Sequence, residues 1–265
     1  MTWEKAVEAR RDEMSHPVGI RLIESVLSKQ SAVILSGDVP STKDLIYLIE
    51  QVHPWIAAVK THVDCMDGDG EWSEVIACCQ EKGLPIMEDR KFADIGAISH
   101  HQMLKGWNIA GWADAVTAHG ISGPDIIDGL QDAWTVAGRD GGVVLLAQMS
   151  SRGNLVEKRL TEPVVEMGSV HESVIGYIGN GSDPQAIARL REIVGDSQLI
   201  LTPGIHPDGG DGKRGQRYGS PDAAIEAGAD MVIIGSAIYK DAQPAEMAKK
   251  CAAATLNGFE RRAHG

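Results

Sequence analysis

Residues 32–40 read Ala32-Val33-Ile34-Leu35-Ser36-Gly37-Asp38-Val39-Pro40, an apolar run that ends in small polar residues and a proline. A doubly wound nucleotide-binding sheet would follow its first strand with a glycine-rich turn. This stretch offers a lone glycine and an aspartate instead. Working outward, seven further apolar runs follow: Ile56–Val63, Leu84–Glu88, Ala115–His119, Val143–Ser150, Val174–Ile178, Gln198–Thr202 and Met231–Gly235. Most are continuously hydrophobic, as parallel strands covered on both faces are. Helical patterns fill the gaps: Thr42–Val52, Trp72–Lys82 ending at Gly83, Gly96–Trp107, Pro124–Val136, Gln185–Val194, Pro221–Ala227 and Gln243–Arg262. Residues 3–28 read as a helical preface and Leu155–His171 as one helix with indistinct ends. Eight strands alternating with helices predict an α/β protein, a (β/α)8 TIM barrel in a single domain over residues 1–265, with the preface at 1–30. No linker splits the chain.

The chain has 25 basic and 37 acidic residues, a formal net charge of -12. Polyphosphate binding needs a basic surface, so a nucleic-acid partner is not expected; a small anion in a locally basic pocket remains open. At 43% hydrophobic and 23% charged, the chain can build a core, which excludes wholesale disorder. Cys65, Cys78, Cys79 and Cys251 form no CxxC pair, so they read as inert thiols of a reducing compartment and not as a metal cage. The charged N-terminus lacks an apolar signal core and no run is long enough to span a bilayer. A soluble, cytoplasmic protein without a membrane partner is expected.

Chemistry in such a barrel sits where the strands end. The polar residues there are Asp38, Lys60, Asp89, Lys91, Asp94, His119, Gln148, Ser150, Asn180, Thr202 and Ser236. Alternating lysine and aspartate dominates. Asp89 and Lys91 share one face of an extended chain, and Lys60 ends the neighbouring strand. A purely structural ion-pair network is the simpler reading, but buried pairs stabilise weakly after desolvation, and dense charge in a cleft is more often catalytic. A carboxylate beside an anionic substrate group raises that group's energy; an ammonium stabilises charge left on carbon and delivers a proton. The pattern fits loss of carbon dioxide followed by protonation, with no cofactor and no metal.

Asp89-Arg90-Lys91-Phe92-Ala93-Asp94-Ile95-Gly96 resembles the signature of the orotidine 5'-monophosphate decarboxylase family, in its eukaryotic-like branch. Lys60-Thr61-His62-Val63-Asp64, Ala118-His119-Gly120, Ser150, Thr202-Pro203-Gly204 and Gly215-Gln216-Arg217-Tyr218 match its other motifs, over about Ala32 to Tyr239. The resemblance implies conversion of orotidine 5'-monophosphate to UMP in pyrimidine biosynthesis. It implies a catalytic tetrad of Lys60, Asp89, Lys91 and Asp94, with Lys91 protonating the pyrimidine carbon. Asp94 would reach into the partner's site of a homodimer. Asp38 would bind ribose, Ser150 the pyrimidine edge, and Gln216 and Tyr218 the phosphate, with Pro203, Arg217, Gly235 and Ser236 also at the substrate. Residues 205–220, glycine-rich with Lys213, Arg214 and Arg217, read as an active-site loop closing on an anion. A sister class with the same Asp-x-Lys-x-x-Asp spacing holds magnesium through a strand-two carboxylate; Lys60 stands there, and an ammonium cannot ligate a metal.

The sequence departs from the family pattern at two substrate-contacting places. Ser236 replaces the phosphate-clamping arginine, exchanging a bidentate cation for a neutral donor. Ala97-Ile98 replace Asn-Thr after the signature. Gln148 also stands where the family often has glutamate. Three readings follow: the loop cations restore the charge; the substrate is shifted, to orotidine lacking phosphate or another carboxylated pyrimidine nucleoside or nucleotide; or the chain is an inactive nucleotide binder. The intact tetrad argues against the last. His100 and His101 point about 100° apart on a helix and read as surface or interface residues rather than a ligand pair. Trp107 and Trp112 read equally as core or as dimer interface.

Overall fold

The computed structural model describes residues 2–67, 72–211 and 217–264. Eight parallel strands close into a barrel: β1 (Val33–Ser36), β2 (Ala58–Thr61), β3 (Ile86–Phe92), β4 (Ala115–Ala118), β5 (Gly142–Leu146), β6 (Val174–Ile178), β7 (Leu199–Thr202) and β10 (Met231–Ile234). Two short strands, β8 (Gly210–Asp211) and β9 (Arg217–Tyr218), pair antiparallel on the connection after β7. Going round the barrel the order is β1-β10-β7-β6-β5-β4-β3-β2, so each strand follows its neighbour and β10 closes on β1. All eight runs expected to be strands are strands. Apart from β3, they are buried along their whole length, which is why most are continuously apolar.

The helices are α1 (Trp3–Asp12), α2 (Pro17–Lys29), α3 (Thr42–Val52), α4 (Trp72–Glu81), α5 (Gly96–Leu104), α6 (Asp125–Ala137), α7 (Val156–Arg159), α8 (Thr161–Ser169), α9 (Pro184–Val194), α10 (Pro221–Glu226), α11 (Ser236–Tyr239) and α12 (Pro244–His264). Several begin as their sequences dictate. Ser41, Asp183 and Ser220 accept a backbone N–H at the starts of α3, α9 and α10. α5 and α6 pack closely because glycines face each other there: a Cβ on Gly129 would collide with the Gly96 carbonyl oxygen.

The helical preface consists of two helices, separated at residues 13–16, where Pro17 starts α2 and His16 caps it by accepting the Val18 N–H. Two expectations need correction. Residues 155–171 form two helices, α7 and α8, in place of one. β3 runs through the charged stretch to Phe92 and does not stop at Glu88. Its register against β4 shifts between Glu88 and Phe92, and Lys91 takes φ 52°, the left-handed region. Among the described residues, no helix is long and apolar enough to cross a membrane.

Candidate active site

The C-terminal ends of the strands surround a cavity of about 470 Å³. Asp38, Lys60, Asp89, Lys91, Gln148, Ser150, Pro203, Tyr218, Gly235 and Ser236 line it, so most of the residues singled out by the sequence converge there. Asp94 does not line it. That carboxylate is exposed and accepts the Ile95 N–H, with Ile95 and Ile98 exposed beside it at 60% and 42%. Gln216, Lys213 and Arg214 lie outside the described residues, and the backbone of Arg217 belongs to β9.

Asp89 is the centre of the charged group. Its Oδ2 accepts from Lys60 Nζ at 3.1 Å and its Oδ1 from Lys91 Nζ at 2.7 Å. Lys60 Nζ also lies 3.7 Å from Asp38. The imidazole of His62 bridges the two carboxylates, with Nδ1 2.6 Å from Asp38 Oδ1 and Nε2 3.1 Å from Asp89 Oδ2. Burial alone would lower the pKa of His62, but the hydrogen bonds to Asp38 and Asp89 outweigh it and hold the pKa above its ordinary value. The ammoniums of Lys60 and Lys91 lie 3.1 and 3.3 Å from those same ring nitrogens, Nδ1 and Nε2. Burial likewise opposes ionisation of Asp89, yet Lys60, His62 and Lys91 hold its pKa well below the usual carboxylate range. For Asp38, the same desolvation is overcome by His62 and Lys60, and its pKa falls to about 2. Ser36 fixes the second Asp38 oxygen by donating to it at 2.7 Å. Lys60 and Lys91, with the imidazole of His62 between them, thus face the carboxylates of Asp38 and Asp89.

The backbone behind this cluster is strained. A non-glycine residue in the left-handed region costs roughly 1–2 kcal/mol, and Lys91 adopts it within a strand. Thr117 on β4 receives the Lys91 N–H at 3.0 Å and donates its own hydroxyl to Asp89 Oδ1 at 2.8 Å. Glu88, the next side chain back, turns to the opposite face of β3. It is fully buried, accepts from the Thr61 hydroxyl at 2.6 Å and from the Val63 N–H at 3.1 Å, and so anchors the chain on either side of His62. Burial raises its carboxyl to about 7 in spite of these donors.

Gln148 has a clear role: its Nε2 donates to the Ala186 carbonyl and its Oε1 accepts the Asn180 N–H, both at 2.9 Å. A carboxylate could accept but not donate there. His119 stands on the wall and not in the cavity; burial and then Lys91 lower its pKa, and its N–H donates to the Phe92 carbonyl. Trp112 is core, packed edge-on to Trp72 with ring centroids 4.9 Å apart, whereas Trp107 is 45% exposed. Sequence reasoning gave no role to His62, Ser36, Thr117 or Tyr239. His62 and Ser36 each lie two residues from a singled-out charge, which is a usable signal in an extended chain. Thr117 and Tyr239 carry no such signal.

The sequence model of the Orotidine 5'-phosphate decarboxylase / HUMPS family matches residues 31–251 of the chain. The chain is 38% identical over 231 residues to the orotidine 5'-phosphate decarboxylase of Pachysolen tannophilus, covering 84% of this chain and 83% of that one. It is 32% identical over 274 residues to the enzyme of that name from Candida parapsilosis, covering 99% and 98%. The Komagataella pastoris protein of the same name is 34% identical over 236 residues, covering 87% and 88%.

Proposed function

The chain belongs to the Orotidine 5'-phosphate decarboxylase / HUMPS family, and on that premise we propose that it releases carbon dioxide from orotidine 5'-phosphate to give UMP, without a cofactor. The observation that carries this reading is the chain Lys60–Asp89–Lys91, with contacts of 3.1 and 2.7 Å at the mouth of the barrel. Bound there, the substrate carboxylate is repelled by Asp89, whose charge is held by Lys60, Lys91 and the His62 hydrogen bond. Once carbon dioxide leaves, Lys60 and Lys91 face the electron pair on the pyrimidine carbon, and Lys91 gives it a proton. Asp38 takes the ribose hydroxyls and Ser150 the pyrimidine edge. Pro203, Gln216, Arg217, Tyr218, Gly235 and Ser236 hold the remainder of the nucleotide.

The experiment is release of carbon dioxide from orotidylate by purified protein, followed beside orotidine without its phosphate. Turnover of orotidylate is expected. Turnover of orotidine alone would replace the substrate by the nucleoside, and turnover of neither would leave a nucleotide binder.

The site is completed by a second copy. Asp94 does not line its own cavity and is exposed beside Ile95 and Ile98, so the proposed homodimer places it at the partner's substrate. Lys91→Ala and Asp94→Ala subunits are each expected to be inactive alone. Mixed and refolded together, they should regain up to about a quarter of wild-type turnover, since half of randomly reassorted dimers are hybrids with one intact site of two. No recovery, with hybrid dimers present, would overturn the shared site.

A further inference from the structure

The sharpest unassigned feature of the site is a closed ring of contacts around Lys91. The Lys91 N–H donates to Thr117 Oγ1 at 3.0 Å. The Thr117 hydroxyl, accepting there through one of its lone pairs, donates its proton to Asp89 Oδ1 at 2.8 Å. The same Asp89 oxygen accepts the Lys91 ammonium at 2.7 Å. Backbone and side chain of Lys91 are therefore tied to one another through a single hydroxyl and a single carboxylate oxygen. Thr117 is fully buried and lies on a different strand from the residues it joins.

Three facts show that this ring sets geometry and does more than fill space. Lys91 has φ 52°, a conformation that L side chains avoid, and its N–H has turned to Thr117, where the register against β4 shifts. With the backbone so placed, Lys91 Nζ lies 2.7 Å from Asp89 Oδ1. The second Asp89 oxygen is committed to Lys60 and His62, so the carboxylate cannot rotate without breaking contacts at both ends.

We propose that Thr117 is a positioning residue for the decarboxylation: its hydroxyl holds the left-handed backbone at Lys91 and the rotamer of Asp89, and so aims the ammonium at the substrate carbon. The role rests on the decarboxylase reading above. Thr117 does not line the cavity, so it acts through Lys91 and Asp89.

Valine has the shape of threonine without the hydroxyl, and serine keeps the hydroxyl without the methyl. Thr117→Val is expected to lower kcat about 10²-fold, the size of loss that a small misplacement of reacting groups produces, with KM changed less than about threefold because groups that only aim the chemistry leave ground-state binding intact. Thr117→Ser should recover kcat to within a fewfold of wild type. Rates are taken per folded protein, with the melting temperature of each variant measured alongside, so that a purely structural role appears as a lower Tm with unchanged kcat. That result, or a serine variant as slow as the valine variant, would overturn the proposal. Absence of turnover in the wild type would instead reject the decarboxylase reading on which it rests.

Discussion

Lys91→Ala is expected to reduce turnover of orotidylate by about 10⁴-fold, the upper end of what a positioned proton donor contributes, while the protein stays folded. The upper end applies because this ammonium has two tasks, neutralising charge as it forms on carbon and then protonating it. The fold should survive because the side chain is 36% exposed and its partner is not stranded: Asp89 keeps Lys60, His62 and the Thr117 hydroxyl. Lys91→Arg is the informative companion. Guanidinium keeps the positive charge but does not release a proton in the accessible pH range, so it should restore little of the lost rate. Turnover of either variant within tenfold of wild type, in protein with an unchanged melting temperature, would remove Lys91 from the chemistry and the tetrad with it.

Much of this architecture was legible in the sequence, and what was not has physical reasons. The eight strands announced themselves because a parallel strand is covered on both faces and cannot alternate. α3 and β6 fall at their expected bounds, Thr42–Val52 and Val174–Ile178. The apolar pattern of β3 ends at Glu88, whereas the strand is held onward by pairing of Phe92 with Ala118 past an irregular register. Periodicity says nothing about a charged strand end that lines a cavity. Asp89 and Lys91 were expected to meet as same-face neighbours in an extended chain; they do meet, but through a left-handed residue and a threonine on the next strand. Thr117 is separated by 26 residues from Lys91 and by 28 from Asp89, and such a partner is set by closure of the barrel, not by local spacing. Asp94 is the opposite case. The sequence marks it, and the single chain leaves it outside its own cavity.

The base of the barrel carries the second large effect: Asp230→Ala is expected to destabilise the protein by about 3–5 kcal/mol, the loss seen when a buried ion pair is broken by removing one partner. Asp230 precedes β10 at the end opposite the candidate site and is fully buried. Its oxygens accept from Arg10 Nε at 2.9 Å, Arg191 Nη2 at 2.5 Å and the Ile200 N–H at 2.8 Å, with Arg262 at 3.9 Å. Alanine would leave the mostly buried guanidiniums of Arg10 and Arg191 facing each other without their shared anion. Arg10 lies on α1, outside the matched residues 31–251, so the preface is fastened to the barrel through this carboxylate. Burial opposes the charge of Asp230, but Arg191, Arg10 and Arg262 hold its pKa well below the ordinary 3.8. A depressed carboxyl contributes stability that is fully present above its unfolded pKa and is lost as pH falls toward the folded one. Wild type should therefore lose stability as pH drops below about 4, and the alanine variant should lose less over that window. Denaturant titrations at pH 7 and pH 3 test both parts. Equal stability of the two proteins at pH 7 would show that the arginines find other partners and that α1 is held by its apolar contacts, Trp3 and Val7, alone.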